Sequence, residues 1–124
     1  MYVTLQPLPL NDEQEPVEIE SQTFLIGRSG ACDLRLNNSL VSRVHCRLTV
    51  TDDGVYAQDL ESRNGTWVNY CEQLHTKRRL YDGDVLVIAI TPFRVSIKKK
   101  RDSGSGLNLL LESLRERWNG RHDD

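Results

Sequence analysis

The chain has 124 residues, 38% of them hydrophobic and 27% charged, which suits one domain around one core and leaves little length for a second. That balance excludes a disordered chain. The formal net charge of −2 argues against a nucleic-acid binder built on bulk positive charge.

From the first residue to about residue 100 the chain reads as short, β-branched, alternating segments broken by turn residues. Residues 2–5, 17–20 and 23–26 are the first predicted strands. Residues 33–36, 45–51, 55–60 and 66–69 follow, and 85–88 and 93–97 close the set. Many short strands at this spacing predict an all-β sandwich or barrel. Asp52-Asp53-Gly54, between two alternating runs, predicts a hairpin in which glycine accepts a positive φ. Asn64-Gly65 and Asp82-Gly83 mark two further tight turns.

Beyond the basic run of residues 98–101, read as a solvated strand end, the composition changes. Residues 101–106, with Ser103-Gly104-Ser105-Gly106, read as a flexible linker. In residues 107–124, Leu107, Leu110, Leu111, Leu114 and Trp118 fall at i, i+3, i+4, i+7 and i+11, one face of an amphipathic helix ended near Gly120. A helix this short needs a surface to pack on, which is the domain itself, a second copy or another protein. Its mixed polar face disfavours a membrane surface.

Cys32, Cys46 and Cys71 have no regular spacing, which argues against a disulfide framework and for a reducing, cytoplasmic setting. Cys71 and His75 lack a second pair at zinc spacing, so no metal site and no cofactor are expected. The start, MYVTLQPLPL, has no basic region followed by a long apolar run, and no stretch approaches transmembrane length.

Short polar motifs stand at the predicted strand ends: Gly27-Arg28, Ser42-Arg43-Val44-His45, Ser62-Arg63-Asn64-Gly65-Thr66 and Val68-Asn69. Arg28 and Arg43 offer guanidinium forks that fit phosphate oxygens. Ser42 adds a hydroxyl, and the Asn64 amide offers donors and an acceptor to a peptide main chain. Donors without an acid or base suit holding a dianion and not transforming it. A phosphorylated hydroxyl carries about −1.5 to −2 charge and three acceptor oxygens, which matches.

The ordered set GR, SRxH, SxNGT and VN, followed by Leu80-Tyr81-Asp82-Gly83-Asp84, resembles the forkhead-associated (FHA) domain over roughly residues 1 to 100. The resemblance implies an FHA/SMAD-like β-sandwich of about eleven strands that binds a threonine-phosphorylated protein or peptide in signalling, without catalysis of its own. It also implies a preference for phosphothreonine over phosphoserine. By the same resemblance Arg28, Ser42 and Arg43 contact the phosphate, and Asn64 and Arg63 face the peptide. His45 braces the loops from behind, and Gly27, Gly65, Thr66 and Asn69 support the site. Two positions depart from the family: Arg63 stands where Ser or Thr is common, and Tyr70 where glycine is common.

Three other readings compete. Ser42, His45 and Asp59 own the side chains of a nucleophile, base and orienting acid, but no G-x-S-x-G elbow is present. A phosphate-independent scaffold conflicts with the complete Arg28, Ser42 and Asn64 set. Nucleic-acid binding lacks a basic stripe with interleaved aromatics.

Overall fold

The computed structural model describes residues 1–10 and 13–99. The expected linker at 101–106 and helix within 107–124 lie outside the described residues. The strands are β1 (Tyr2–Pro7), β2 (Val17–Ile19), β3 (Thr23–Gly27), β4 (Leu34–Arg35), β5 (Cys46–Thr51) and β6 (Gly54–Asp59), then β7 (Thr66–Val68), β8 (Glu72–Gln73), β9 (Arg78–Leu80), β10 (Val85–Ile88) and β11 (Thr91–Lys98).

They form a six-stranded sheet ordered β2-β1-β11-β10-β7-β8 and a five-stranded sheet ordered β4-β3-β5-β6-β9. Among the described residues, only β3 and β4 pair in parallel. Alternation of apolar and polar residues sends Val3, Leu5, Phe93 and Val95 inward from one sheet, and Phe24, Ile26, Leu48, Val55 and Ala57 inward from the other. These residues share one core cluster. Each fully buried aliphatic side chain contributes about 1.5–3 kcal/mol, so this period-two pattern holds the two sheets face to face.

Nine strands match the expected segments, with ends shifted by no more than two residues. β8 and β9 were not anticipated from periodicity. The hairpin at Asp52-Asp53 forms, with Thr51 paired to Gly54, but without the positive φ expected of it. None of Asp52, Asp53 and Gly54 has positive φ. A Cβ on Gly54 would lie 2.9 Å from Arg79 Nε, an approach the flexible arginine can yield. Gly65 and Gly83 do adopt positive φ, 83° and 91°, as their turns predicted.

The turn between β7 and β8 has Asn69 and Tyr70 at φ 55° and 63°, closed by Cys71 N–H donating to the Val68 carbonyl at 3.3 Å. Two positive-φ central residues are what a tight hairpin needs, and a tyrosine is a strained occupant of the second.

Candidate functional site

The site begins with the absence of a side chain. A Cβ on Gly27, at the end of β3, would collide with the carbonyl of Arg43 and lie 3.0 Å from Cys32 Sγ. Because Gly27 has no Cβ, the two loops zip together: Arg28 N–H donates to the Ser42 carbonyl at 2.9 Å, and Ser29 N–H to the Arg43 carbonyl at 3.0 Å. Arg28 Nε donates to the Val41 carbonyl at 3.1 Å, which fixes the guanidinium plane and leaves its terminal nitrogens without a partner among the described residues. The Cys32 thiol donates to the same Arg43 carbonyl at 3.3 Å.

His45 braces this arrangement from inside. Its ring is fully buried. Nδ1 accepts the Ser42 backbone N–H at 3.0 Å, so the ring is the Nε2–H tautomer. Nε2 then donates to the Gly65 carbonyl at 2.7 Å. That carbonyl also accepts Ala89 N–H at 3.0 Å, so it is tied to His45, which leads into β5 in one sheet, and to the β10–β11 turn of the other.

The loop between β6 and β7 is built on Asp59. Its carboxylate accepts Ser62 N–H at 3.0 Å, the Ser62 hydroxyl at 2.5 Å and the buried Thr66 hydroxyl at 2.7 Å. Ser62 Oγ in turn accepts Gly65 N–H at 2.9 Å, which holds the glycine in its left-handed turn. Arg63 N–H donates to Ser42 Oγ at 3.0 Å, and Asn64 Nδ2 donates to the Leu40 carbonyl at 2.7 Å. Neither the Ser42 O–H nor the Asn64 Oδ1 has a further partner among the described residues. Beneath the loops, burial first and the Asp59 charge second push the Cys46 thiol up to about 12.

Arg28, Ser42, Arg43 and Arg63 line one open cavity of about 340 Å³, with Leu40 and Val44 at its apolar edge. Among the described residues, the ion pairs involve none of Arg28, Arg43 and Arg63. Uncompensated guanidinium groups and a free hydroxyl around one hollow form a receptor for an anion with several acceptor oxygens.

The structure therefore gathers Arg28, Ser42, Arg43 and Arg63, sets Asn64 against the cavity's Leu40 edge, and stacks Gly27, His45, Gly65 and Thr66 behind them. Asn69 is not among them. It lies at the far end of β7, where its side chain accepts Val85 N–H at 2.9 Å and donates to Asp84 at 3.2 Å, so it secures the β7–β8 turn. Ser42, His45 and Asp59 are not linked as a relay, because the ring takes the Ser42 amide and Asp59 is engaged by Ser62 and Thr66. Cys71 and His75 are both exposed, and no cluster of three metal-ligating side chains occurs among the described residues. Sequence reasoning missed the loop-building role of Asp59 and Ser62. The signal was an Asp followed three residues later by Ser, the spacing of a side-chain-capped turn.

Comparison with known proteins gives concordant matches. The family model for the FHA domain matches residues 24–89. The E3 ubiquitin-protein ligase CHFR of Xenopus laevis is 28% identical over 115 residues, covering 90% of this chain and 17% of that protein. The serine/threonine-protein kinase RAD53 of Saccharomyces cerevisiae is 34% identical over 104 residues, covering 70% of this chain and 13% of that protein. The chain thus spans less than a fifth of either relative. A solved structure from a structural and functional analysis of phosphothreonine-dependent FHA domain interactions superimposes with a TM-score of 0.71 at 27% identity, covering 81% of this chain and all of the other.

Proposed function

Because the chain belongs to the FHA domain family, we propose that it is a phosphothreonine-dependent peptide-binding module that mediates signalling interactions. The observation that carries this reading is the cavity that Arg28, Ser42 and Arg43 share, with their charge uncompensated and the Ser42 O–H free to donate. In this reading Arg28 and Arg43 hold the phosphate oxygens, and Ser42 donates to one of them. Asn64, anchored through Nδ2, presents Oδ1 to a main-chain N–H of the peptide. Charge-assisted hydrogen bonds of this kind contribute about 1.5–3 kcal/mol each. The bound ligand is held and released unchanged. Two facts support this absence of chemistry: both His45 nitrogens are already occupied, and Asp59 is committed to its own loop.

Titration of a phosphothreonine peptide library by calorimetry tests the proposal. Affinities near 1 μM, about −8 kcal/mol, are expected for the best sequences, with no binding of the unphosphorylated peptides. Arg28→Ala should weaken binding by about 2–3 kcal/mol while the protein stays folded in a thermal melt. A library without a single phosphate-dependent binder would end this reading.

A further inference from the structure

We infer that the site selects a phosphothreonine accompanied by a second negative charge within two residues of it, an acidic side chain or another phosphate, and that Arg63 reads that charge. This rests on the phosphothreonine reading above and adds the charge class of its ligand.

The argument is a count of charge. A phosphothreonine brings about −1.5 to −2. Arg28, Arg43 and Arg63 line the cavity, and Arg35 adjoins it, with Nε donating to the Arg28 carbonyl at 3.0 Å. None of these arginines has an ion-pair partner among the described residues. One phosphate balances two cations and leaves the others unmatched. The carboxylates nearby do not make up the difference. Asp33, Asp59 and Glu61 keep their charge, but none of them forms an ion pair with any of these arginines. In a chain of net charge −2, an uncompensated cationic cluster at one mouth is a local design and not a reflection of bulk composition.

Placement makes Arg63 the reader. Arg28 is pinned through Nε and its backbone beside Ser42, which sets it against the phosphate itself. Arg63 is fixed only through its backbone N–H on Ser42 Oγ, and its side chain is exposed and unpartnered. It therefore reaches past the phosphate toward flanking positions. In an extended peptide two residues span about 6.6 Å, within the screening length of about 8 Å at physiological salt, so a charge at that distance is felt.

The test is a set of peptides measured against the wild-type protein, Arg63→Ser, Arg63→Lys and Arg28→Ala. The peptides are a neutral-flanked phosphothreonine, its unphosphorylated form, versions with Glu or with phosphoserine placed at each position from −2 to +2, and a Lys-flanked control. In the wild type, at least one Glu position should tighten binding about threefold to fivefold, and a phosphate there about tenfold. Arg63→Ser should erase that gain, weakening the charge-flanked peptides by a clearly larger factor than the neutral-flanked one, whereas Arg63→Lys should restore part of it. The gain should also shrink as salt is raised.

Two results overturn the inference while leaving the function intact: a flat response to flanking charge in the wild type, or an Arg63→Ser variant that weakens every phosphopeptide by the same factor. The latter would make Arg63 a ligand of the phosphothreonine itself. Failure of the neutral-flanked phosphopeptide to bind while Arg28→Ala behaves as wild type would remove the phosphothreonine reading, and this one with it.

Discussion

Replacing Gly27 with alanine aims a methyl group at the Arg43 carbonyl, with Cys32 Sγ only 3.0 Å from where the new carbon would sit. The obstacle on the first side is backbone, so no rotamer change relieves it, and the β3 end and the loop before β5 have to separate. That movement stretches the bonds from Arg28 N–H to Ser42 and from Ser29 N–H to Arg43, each contributing about 0.5–1.5 kcal/mol. Overpacking adds about 1–3 kcal/mol. Together they predict a loss of about 2–6 kcal/mol, a large share of the stability of a domain this size. Because the same separation pulls Arg28 from Ser42, affinity for a phosphothreonine peptide should fall more steeply than the loss of folded protein explains. Urea denaturation gives the first quantity, and calorimetric titration under fully native conditions gives the second. Gly30 is the internal control, since a Cβ there meets nothing within 4 Å and its φ is not positive; Gly30→Ala should lie within about 0.5 kcal/mol of wild type. A Gly27→Ala protein with native stability and native affinity would refute the idea that a missing side chain joins the two loops.

Tyr70→Gly should stabilise the domain by about 0.5–1 kcal/mol, because relief at φ 63° outweighs the extra freedom of the unfolded chain; a urea midpoint that falls would refute it. His45→Ala should cost about 2–4 kcal/mol by leaving the Ser42 amide and one lone pair of the Gly65 carbonyl without a partner, and should weaken phosphopeptide binding although the ring lies outside the cavity. In the folded protein at pH 8, exposed Cys71 should react quickly with a thiol reagent, and Cys46 only after denaturation. The Cys46 thiol ionises near 9 when exposed and about 12 when folded, so its contribution is intact below pH 9 and lost as pH rises from 9 toward 12. Thermal melts across that interval should fall more steeply for wild type than for Cys46→Ala.

Residues whose side chains alternate between core and solvent made most of the fold legible. Val3 and Leu5, Phe24 and Ile26, and Phe93 and Val95 declare period two, and their strands lie where that pattern stands. β8 consists of Glu72 and Gln73, both exposed, so there was no apolar signal to read. β9 offers only Leu80 beside two arginines. These strands exist because neighbours supply edges to pair with, a property of the assembled sheet and not of the local sequence. Arg28, Ser42 and Asn64 were legible because ordered motifs at strand ends marked them. Asp59 was less so, since a carboxylate that builds a turn and one that serves as an acid look alike in one dimension. Gly54 shows the converse, a turn placed correctly on the strength of a conformation its glycine does not adopt.

The Gly65 carbonyl, held at once by His45 and by the amide of Ala89, has a thermodynamic consequence. A recognition loop stapled from behind to both halves of the sandwich has little freedom left to surrender when a ligand arrives, so contact energy goes into affinity with little spent on ordering the receptor. Such a pocket is rigid before its guest appears, and differences among guests should show chiefly in how long each one stays.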